Sequence, residues 1–333
     1  MNLLDRKIDF VILWVNGSDK NWLYKKNKYL AKYNNYYHGG SSSERYRDYD
    51  TLLFLFRSID NYAKWVNKIY LVTDHQVPVW LKNNKKVKII FHDQIIKKQY
   101  LPVFNSSVIE MNIYKIPQLS ENFVYFNDDM ILNKRLRPSD FFLKGKPRDF
   151  RIYTSITPTE DFDHILINNG ILLNSFIAGT WPKSKRGIIN WKNGFNQLRT
   201  VLVLPQLIKS GIPGYLEPHG PLSFNKSIFL KAEKIWKKEL EKNNLHRFRE
   251  LNDITIWLIR HLQLELGEFY PRNPLFNRFY TLDQSEKIIK DLRKNISCSI
   301  CINDKNIDDY DEKIAKIKNE LYLKFPNKSQ FEK

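Results

Sequence analysis

Short apolar runs punctuate the first 130 residues. Residues 9–15 (DFVILWV), 69–72 (IYLV), 87–91 (VKIIF) and 123–126 (FVYF) are of strand length and rich in β-branched and aromatic side chains, so each predicts a buried strand. Two stretches between them repeat with a helical period. In residues 50–63, Leu52, Leu55, Phe56 and Ile59 share one face; in residues 106–116, Ile109, Ile113 and Ile116 do, and Pro117 stops the pattern. Strands alternating with helices predict βαβ units and a mostly parallel α/β sheet.

From 144 to 221 the period is lost. Gly, Pro and Trp recur, as in Gly179-Thr180-Trp181-Pro182 and Glu217-Pro218-His219-Gly220-Pro221, and predict an irregular cover over a site. Residues 222–333 read as mainly helical. One helix spans 252–266, from an Asn cap to Gly267, and another spans 286–294. A strand is expected at 299–302, and Ile307, Tyr310, Ile314, Ile317 and Leu321 form a stripe that ends near Pro326. No repeat or linker divides the chain. The expectation is one catalytic unit over 1–333, with an α/β part at 1–143, the cover at 144–221 and the helical part completing the site.

Polar clusters follow three of the strands: Asn16-Gly17-Ser18-Asp19, Thr73-Asp74-His75 and Asn127-Asp128-Asp129. In open α/β sheets the carboxyl ends of the strands are where ligands bind. One cluster is an ordinary turn; three on one edge mark a site. Asp128 and Asp129 suit a hard cation such as Mg²⁺, although the same triplet also makes turns and caps. Glu110, at the border of the Ile109 stripe, reads as a base, a metal ligand, an orienting carboxylate or a solvated helix residue. His219, stiffened by prolines on both sides, is a candidate general base or a plain loop histidine. Arg249 precedes the helix expected at 252 and suits a phosphate or simply the surface. Cys298-Ser299-Ile300-Cys301 is a lone pair without further zinc ligands, so core strand cysteines are expected.

Composition then bounds the class. Across 333 residues, 42% apolar and 14% aromatic content excludes disorder, and 12 Gly with 14 Pro exclude collagen-like chains. The formal charge is +18, which favours polyanions, anionic membrane surfaces or phosphorylated molecules. Its Lys residues are scattered, and no zinc finger, RNA-recognition signature, Walker loop or GxGxxG accompanies them, so nucleic acid is not expected. Two cysteines make no disulfide framework, and neither a signal peptide nor a run of about 20 apolar residues is present. The expectation is a cytoplasmic protein, with the inner face of the cell membrane as a peripheral resting place.

Taken together, four blocks resemble the Stealth family of sugar-phosphate transferases, a group that includes bacterial capsular polysaccharide phosphotransferases. The blocks are 9–19; 45–129, from Arg45-Tyr46-Arg47-Asp48 through Arg57-Ser58-Ile59 to Asn127-Asp128-Asp129; the surroundings of Pro218-His219-Gly220-Pro221; and 247–304, from Arg247-Phe248-Arg249-Glu250 to Cys301-Ile302-Asn303-Asp304. Asn16 stands where many bacterial members carry Asp. The resemblance implies a fold similar to nucleotide-sugar transferases of the GT-A or Rossmann-like kind. It implies transfer of a sugar-1-phosphate, N-acetylhexosamine-1-phosphate as expected here, from a UDP-sugar to a hydroxyl of a growing polysaccharide or lipid-linked glycan, with release of UMP. By position, its catalytic residues fall on Glu110, Asp129, His219 and Arg249. Expected substrate contacts are Asn16, Gly17, Ser18, Arg57, Thr73, Asp74, Asn105 and Asn127, with Asp128 and Asp129 holding Mg²⁺ or Mn²⁺. The alternatives are a conventional glycosyltransferase that releases UDP, and a basic polyanion-binding protein.

Overall fold

The structure, a computed structural model, describes residues 7–33, 50–159, 163–305 and 307–333. Its strands are β1 (Ile8–Leu13), β2 (Ile69–Thr73), β3 (Val87–Phe91), β4 (Asn122–Asn127), β5 (Met130–Leu132), β6 (Phe142–Leu143), β7 (Lys146–Asp149), β8 (Leu222–Asn225), β9 (Tyr270–Pro271), β10 (Asn277–Thr281) and β11 (Ser299–Asn303). The helices are α1 (Lys20–Leu30), α2 (Thr51–Tyr62), α3 (Ser106–Glu110), α4 (Pro138–Phe141), α5 (His164–Ile177), α6 (Gln197–Lys209), α7 (Lys226–Ile235), α8 (Lys237–Asn243), α9 (Ile256–Glu265), α10 (Ser285–Lys294) and α11 (Tyr310–Lys324).

The central sheet has the order β3-β2-β1-β4-β8; its first four strands are parallel, and β8 runs antiparallel to β4. The expected α/β class with a mostly parallel sheet is therefore present. Strand alternation sends Phe10, Ile12, Val124 and Phe126 into one core with α2, and Val11, Leu13, Phe123 and Tyr125 into the other with α7 and α9. Asp9, wholly buried, fixes the amino ends of three strands: its carboxylate accepts from Asn67 Nδ2 (2.6 Å), Lys68 N (3.1 Å) and Ser120 N (2.7 Å). Strand order reverses at β1, so the crevice of this sheet opens between the carboxyl ends of β1 and β4, where Leu13 pairs with Asn127. The three polar clusters leave β1, β2 and β4 on that one edge.

Several expectations change. The 144–221 segment is not irregular: it contains α5 and α6. Gly170 inside α5, Pro205 inside α6 and apolar side chains all around both helices hide their period. The helix expected at 106–116 ends at Glu110. Asn112 Nδ2 takes the Val108 carbonyl (2.8 Å), the acceptor a continuing helix would use, and the Asn112 N–H turns to Ile109 O (3.0 Å). Likewise α9 starts at Ile256 rather than 252, because Asp253 is turned to accept from His246 Nδ1 (2.7 Å) and Asn105 Nδ2 (2.9 Å). The 222–333 part is helical but also supplies β8 to the central sheet and builds a second sheet, β10-β11-β5, with the strand that follows Asp129.

Arg57, expected at the substrate, lies elsewhere. Its guanidinium is buried, paired through Nε (2.9 Å) and Nη2 (2.7 Å) with Glu332 and donating through Nη1 to Phe325 O (2.8 Å). It clasps the C-terminal segment to α2 and cannot also balance a diphosphate. Phe331, packed edge-on against Phe56 at 5.5 Å, completes this clasp. Breaking a buried pair strands the remaining charge. Arg57→Met is therefore expected to lower unfolding free energy by about 3 kcal/mol, with Glu332→Gln in the same chain recovering part of the loss in urea denaturation. An unchanged midpoint for the single variant would remove the clasp from the stability account.

Candidate active site

Glu110 is the last residue of α3. Burial pushes its carboxyl up to about 7, against the opposing pull of the Arg249 charge, the Tyr125 hydroxyl, the Ile256 N–H and the Ser106 hydroxyl. The Tyr125 hydroxyl faces both Glu110 Oε1 (3.1 Å) and Asn127 Oδ1. It has one proton to donate, so a Glu110 carboxyl that carries its own proton satisfies both contacts. Burial and the carboxylates of Glu110, Asp129 and Asp128 push the Tyr125 hydroxyl well above its ordinary value, so it keeps that proton. Arg249 Nη2 donates to Ser106 Oγ (3.0 Å), one turn before Glu110. Asn105, placed among the substrate contacts by sequence, is instead fully buried: it caps α3 through Ser107 N (3.1 Å) and holds Phe248 O (3.2 Å) and Asp253 (2.9 Å). It fastens the Arg249 segment to the Glu110 helix and has no surface left for a ligand. The amino end of α9, expected to face phosphate, points its Ile256 N–H at Glu110.

The next residue, Trp257, begins the link to His219. The His219 ring lies edge-on to Trp257 (5.6 Å between centroids) and 4.5 Å from Phe279 of β10. Crowding by these rings lowers the imidazole below its usual value, while the nearby Glu217 carboxylate opposes the shift. Burial tends to raise the Glu217 carboxyl, but His261 (2.5 Å) and Arg260 (3.0 Å) outweigh it and hold it ionised below the usual range. The loop itself is pinned by Asn277 Nδ2, which donates to His219 O, and Asn277 Oδ1 accepts from Ser299 Oγ (2.8 Å). A Cβ on Gly220 would come within 2.1 Å of Asn277 Cγ, so only glycine allows this approach.

Asp129 closes the circuit. Phe279 is paired in register with Cys301, and Cys301 Sγ donates to Asp129 Oδ2 at 3.1 Å. Burial raises the Asp129 carboxyl to about 6, with the thiol hydrogen bond opposing. Asp129 Oδ1 is buried with no hydrogen-bond partner. A buried carboxylate oxygen without a donor, next to a second carboxylate on Asp128, fits a hard divalent cation. Among the described residues no group of three or more His, Cys, Asp or Glu side chains could hold a metal. Two carboxylates are a donor set that substrate phosphates would complete around a hard cation.

Other expected contacts sit on the same edge with different surroundings. Asn16 Oδ1 accepts from Ser18 N (3.0 Å), and its main chain exchanges two hydrogen bonds with the Gln76 side chain (2.9 and 3.0 Å). The Asn16-Gly17-Ser18 turn is thus braced against the loop after β2. Asp74 receives Lys25 Nζ on both oxygens (2.9 Å each). Thr73 is wholly buried, with its hydroxyl unpartnered in the protein, and offers no surface to a ligand. The Arg45–Asp48 stretch of the resemblance lies outside the described residues. Tyr125 was missed by sequence reasoning although its two-residue spacing to Asn127 places both on one strand face. Glu217, two residues before His219, was also legible. Trp257, Phe279 and Cys301 as site neighbours carried no local signal.

Three family profiles match the chain: Stealth protein conserved region 1 over residues 6–34, conserved region 2 over 45–149 and conserved region 3 over 218–261. Glu110 and Asp129 fall in the second, His219 and Arg249 in the third. The exopolysaccharide phosphotransferase cps2G of Lactiplantibacillus plantarum is 40% identical over 332 residues, 98% of this chain and 96% of the relative. The chain belongs to the Stealth family. A second member, the capsular polysaccharide phosphotransferase WcwK of Streptococcus pneumoniae, is 38% identical over 336 residues, 98% of each chain. With these relatives the chain is a phosphotransferase enzyme. Among solved structures, the galactosyltransferase LgtC matches with a TM-score of 0.43 at 10% identity over 95% of each chain, a likeness on which nothing further rests.

Proposed function

We propose that this Stealth protein transfers a sugar-1-phosphate, of the N-acetylhexosamine class, from a UDP-sugar to a hydroxyl of a growing polysaccharide or lipid-linked glycan. The observation that carries the reading is convergence. Glu110, Asp129, His219 and Arg249 come from four separate segments, and a chain of neighbours, Tyr125, Trp257, Phe279 and Cys301, runs between them, which supports the reading. The donor lies across the β1–β4 crevice, against Asn16, Gly17, Ser18 and Asn127. His219, its proton affinity lowered among its aromatic neighbours, takes the proton from the acceptor hydroxyl. That oxygen forms a bond to the sugar-bearing phosphorus as the bond to the bridging oxygen breaks, and UMP carries that oxygen away. Arg249 balances charge on the phosphoryl group in transit, and Glu110 positions Arg249 and the Tyr125 hydroxyl. Asp128 and Asp129 would hold a divalent cation, which supplies charge neutralisation on a diphosphate.

The nucleotide released decides the reading. Incubation with UDP-N-acetylhexosamine and an oligosaccharide acceptor is expected to yield UMP in step with phosphodiester product. Stoichiometric UDP would make the chain a conventional glycosyltransferase and end the proposal.

A further inference from the structure

From His164 to Leu216, between Asp163 and Glu217, the sequence contains no Asp or Glu, while it carries Lys183, Lys185, Arg186, Lys192, Arg199 and Lys209. The same segment bears several strongly exposed apolar side chains. Phe195 is 94% exposed, Trp191 85% and Leu202 80%, with Ile171, Leu198 and Ile208 also outside. On α6 the outward positions Leu198, Val201, Leu202, Pro205 and Ile208 recur at helical spacing, opposite the buried Thr200, Val203 and Leu207. This helix is apolar on two faces, and one of them is largely exposed. Two of the cations are turned to main-chain carbonyls: Arg186 donates to Phe269 O (3.0 Å) and Lys192 to Pro271 O (3.3 Å). Beside Trp191 lies a recess of about 370 Å³ lined by Arg148, Lys192 and Arg272, with Asp140 at its edge.

We propose that the α6 face and the Ile189–Phe195 turn dock on an anionic lipid surface, with Trp191, Phe195 and Leu202 entering the headgroup boundary and the Lys and Arg residues meeting lipid phosphates. Protruding aromatic and aliphatic tips on a segment that carries cations and no acidic residue are the features of interfacial binding. Pairing with a second copy of the chain is disfavoured by the same charges, since a two-fold contact would set six cations against six. Among the described residues no helix is long and apolar enough to cross a membrane, which agrees with docking on the surface. The neighbouring helix α5 is joined to the site: Asn169 exchanges hydrogen bonds with Thr255 (2.9 and 3.1 Å), and Asn168 holds Leu251 O (2.8 Å) and Asp253 O (2.9 Å), beside Arg249 and the start of α9. The inference rests on the proposed function only for its benefit to a lipid-linked acceptor.

Flotation of the purified full chain tests it, using vesicles of phosphatidylcholine with phosphatidylglycerol against phosphatidylcholine alone. Binding is expected to favour the anionic vesicles and to weaken with salt. The variant Trp191→Ser/Phe195→Ser/Leu202→Ser is expected to bind roughly tenfold or more weakly, with transfer to a short soluble acceptor unchanged. A second variant, Lys185→Gln/Arg199→Gln, is expected to lose preference for phosphatidylglycerol while remaining folded. Wild-type protein that stays with the unbound fraction, or a triple variant that floats as well as wild type, overturns the proposal. So does a wild-type dimer that the triple variant converts to monomer. Vesicle binding without phosphodiester formation would instead overturn the proposed function and leave docking in place.

Discussion

Asp129→Asn is expected to keep the fold and to lower transfer by roughly a thousandfold, the scale seen when a group that stabilises transition-state charge is removed. The change keeps the size of the side chain and its place beside Cys301, while it removes the negative charge of the carboxylate whose Oδ1 has no hydrogen-bond partner. The pH dependence of the wild type supplies a second readout. Burial places the Asp129 carboxyl at about 6 and Glu110 at about 7. Glu110 already holds its proton in the arrangement with Tyr125, so the activity is expected to decline on the acid side as Asp129 takes up a proton near 6. A cation bound to ionised Asp129 competes with the proton, so raising Mg²⁺ should shift the acid limb to lower pH. An acid limb that does not respond to Mg²⁺, or full activity in the asparagine variant, would remove Asp129 from cation binding.

His219→Ala is expected to cost about 10²–10⁴-fold in kcat, the range for loss of a positioned general base. The position is suited to the loss without unfolding, because the loop is held by its main chain through Asn277 rather than by the imidazole. Crowding holds His219 below its ordinary value, with the Glu217 carboxylate opposing the shift. Thermal unfolding matching wild type, together with retained donor binding, separates a chemical loss from a structural one. Wild-type kcat in His219→Ala would place the base elsewhere.

Much of the frame was legible in residue order. The four apolar runs became β1 to β4 within about two residues at each end; β1, β2 and β4, covered on both faces, leave a continuous apolar signal, while β3 at the sheet edge interrupts it with Lys88. The stripe Leu52, Leu55, Phe56 and Ile59 became the buried face of α2 for the matching reason at a 3.6-residue period. Where a side chain competes with the backbone, the period misled: Asn112 ended α3, and Asp253 delayed α9. Where apolar residues surround a helix, as in α5 and α6, no stripe exists to be read, and the outward apolar positions acquire meaning only once burial is known.

The sequence by itself therefore determined the sheet, the edge on which its polar clusters lie and, through resemblance, the four residues proposed for chemistry. The tertiary structure decided their company. It sent Arg57 to Glu332, 275 residues away, and brought Cys301 to Asp129 across 172 residues. It turned Asn105 inward and set Trp257 and Phe279 around His219. Local periodicity specifies which face of an element is buried, whereas partners this distant are chosen by how several elements pack at once. The proton affinities of Glu110, Asp129 and His219 follow from that packing, since burial is the largest cause in each.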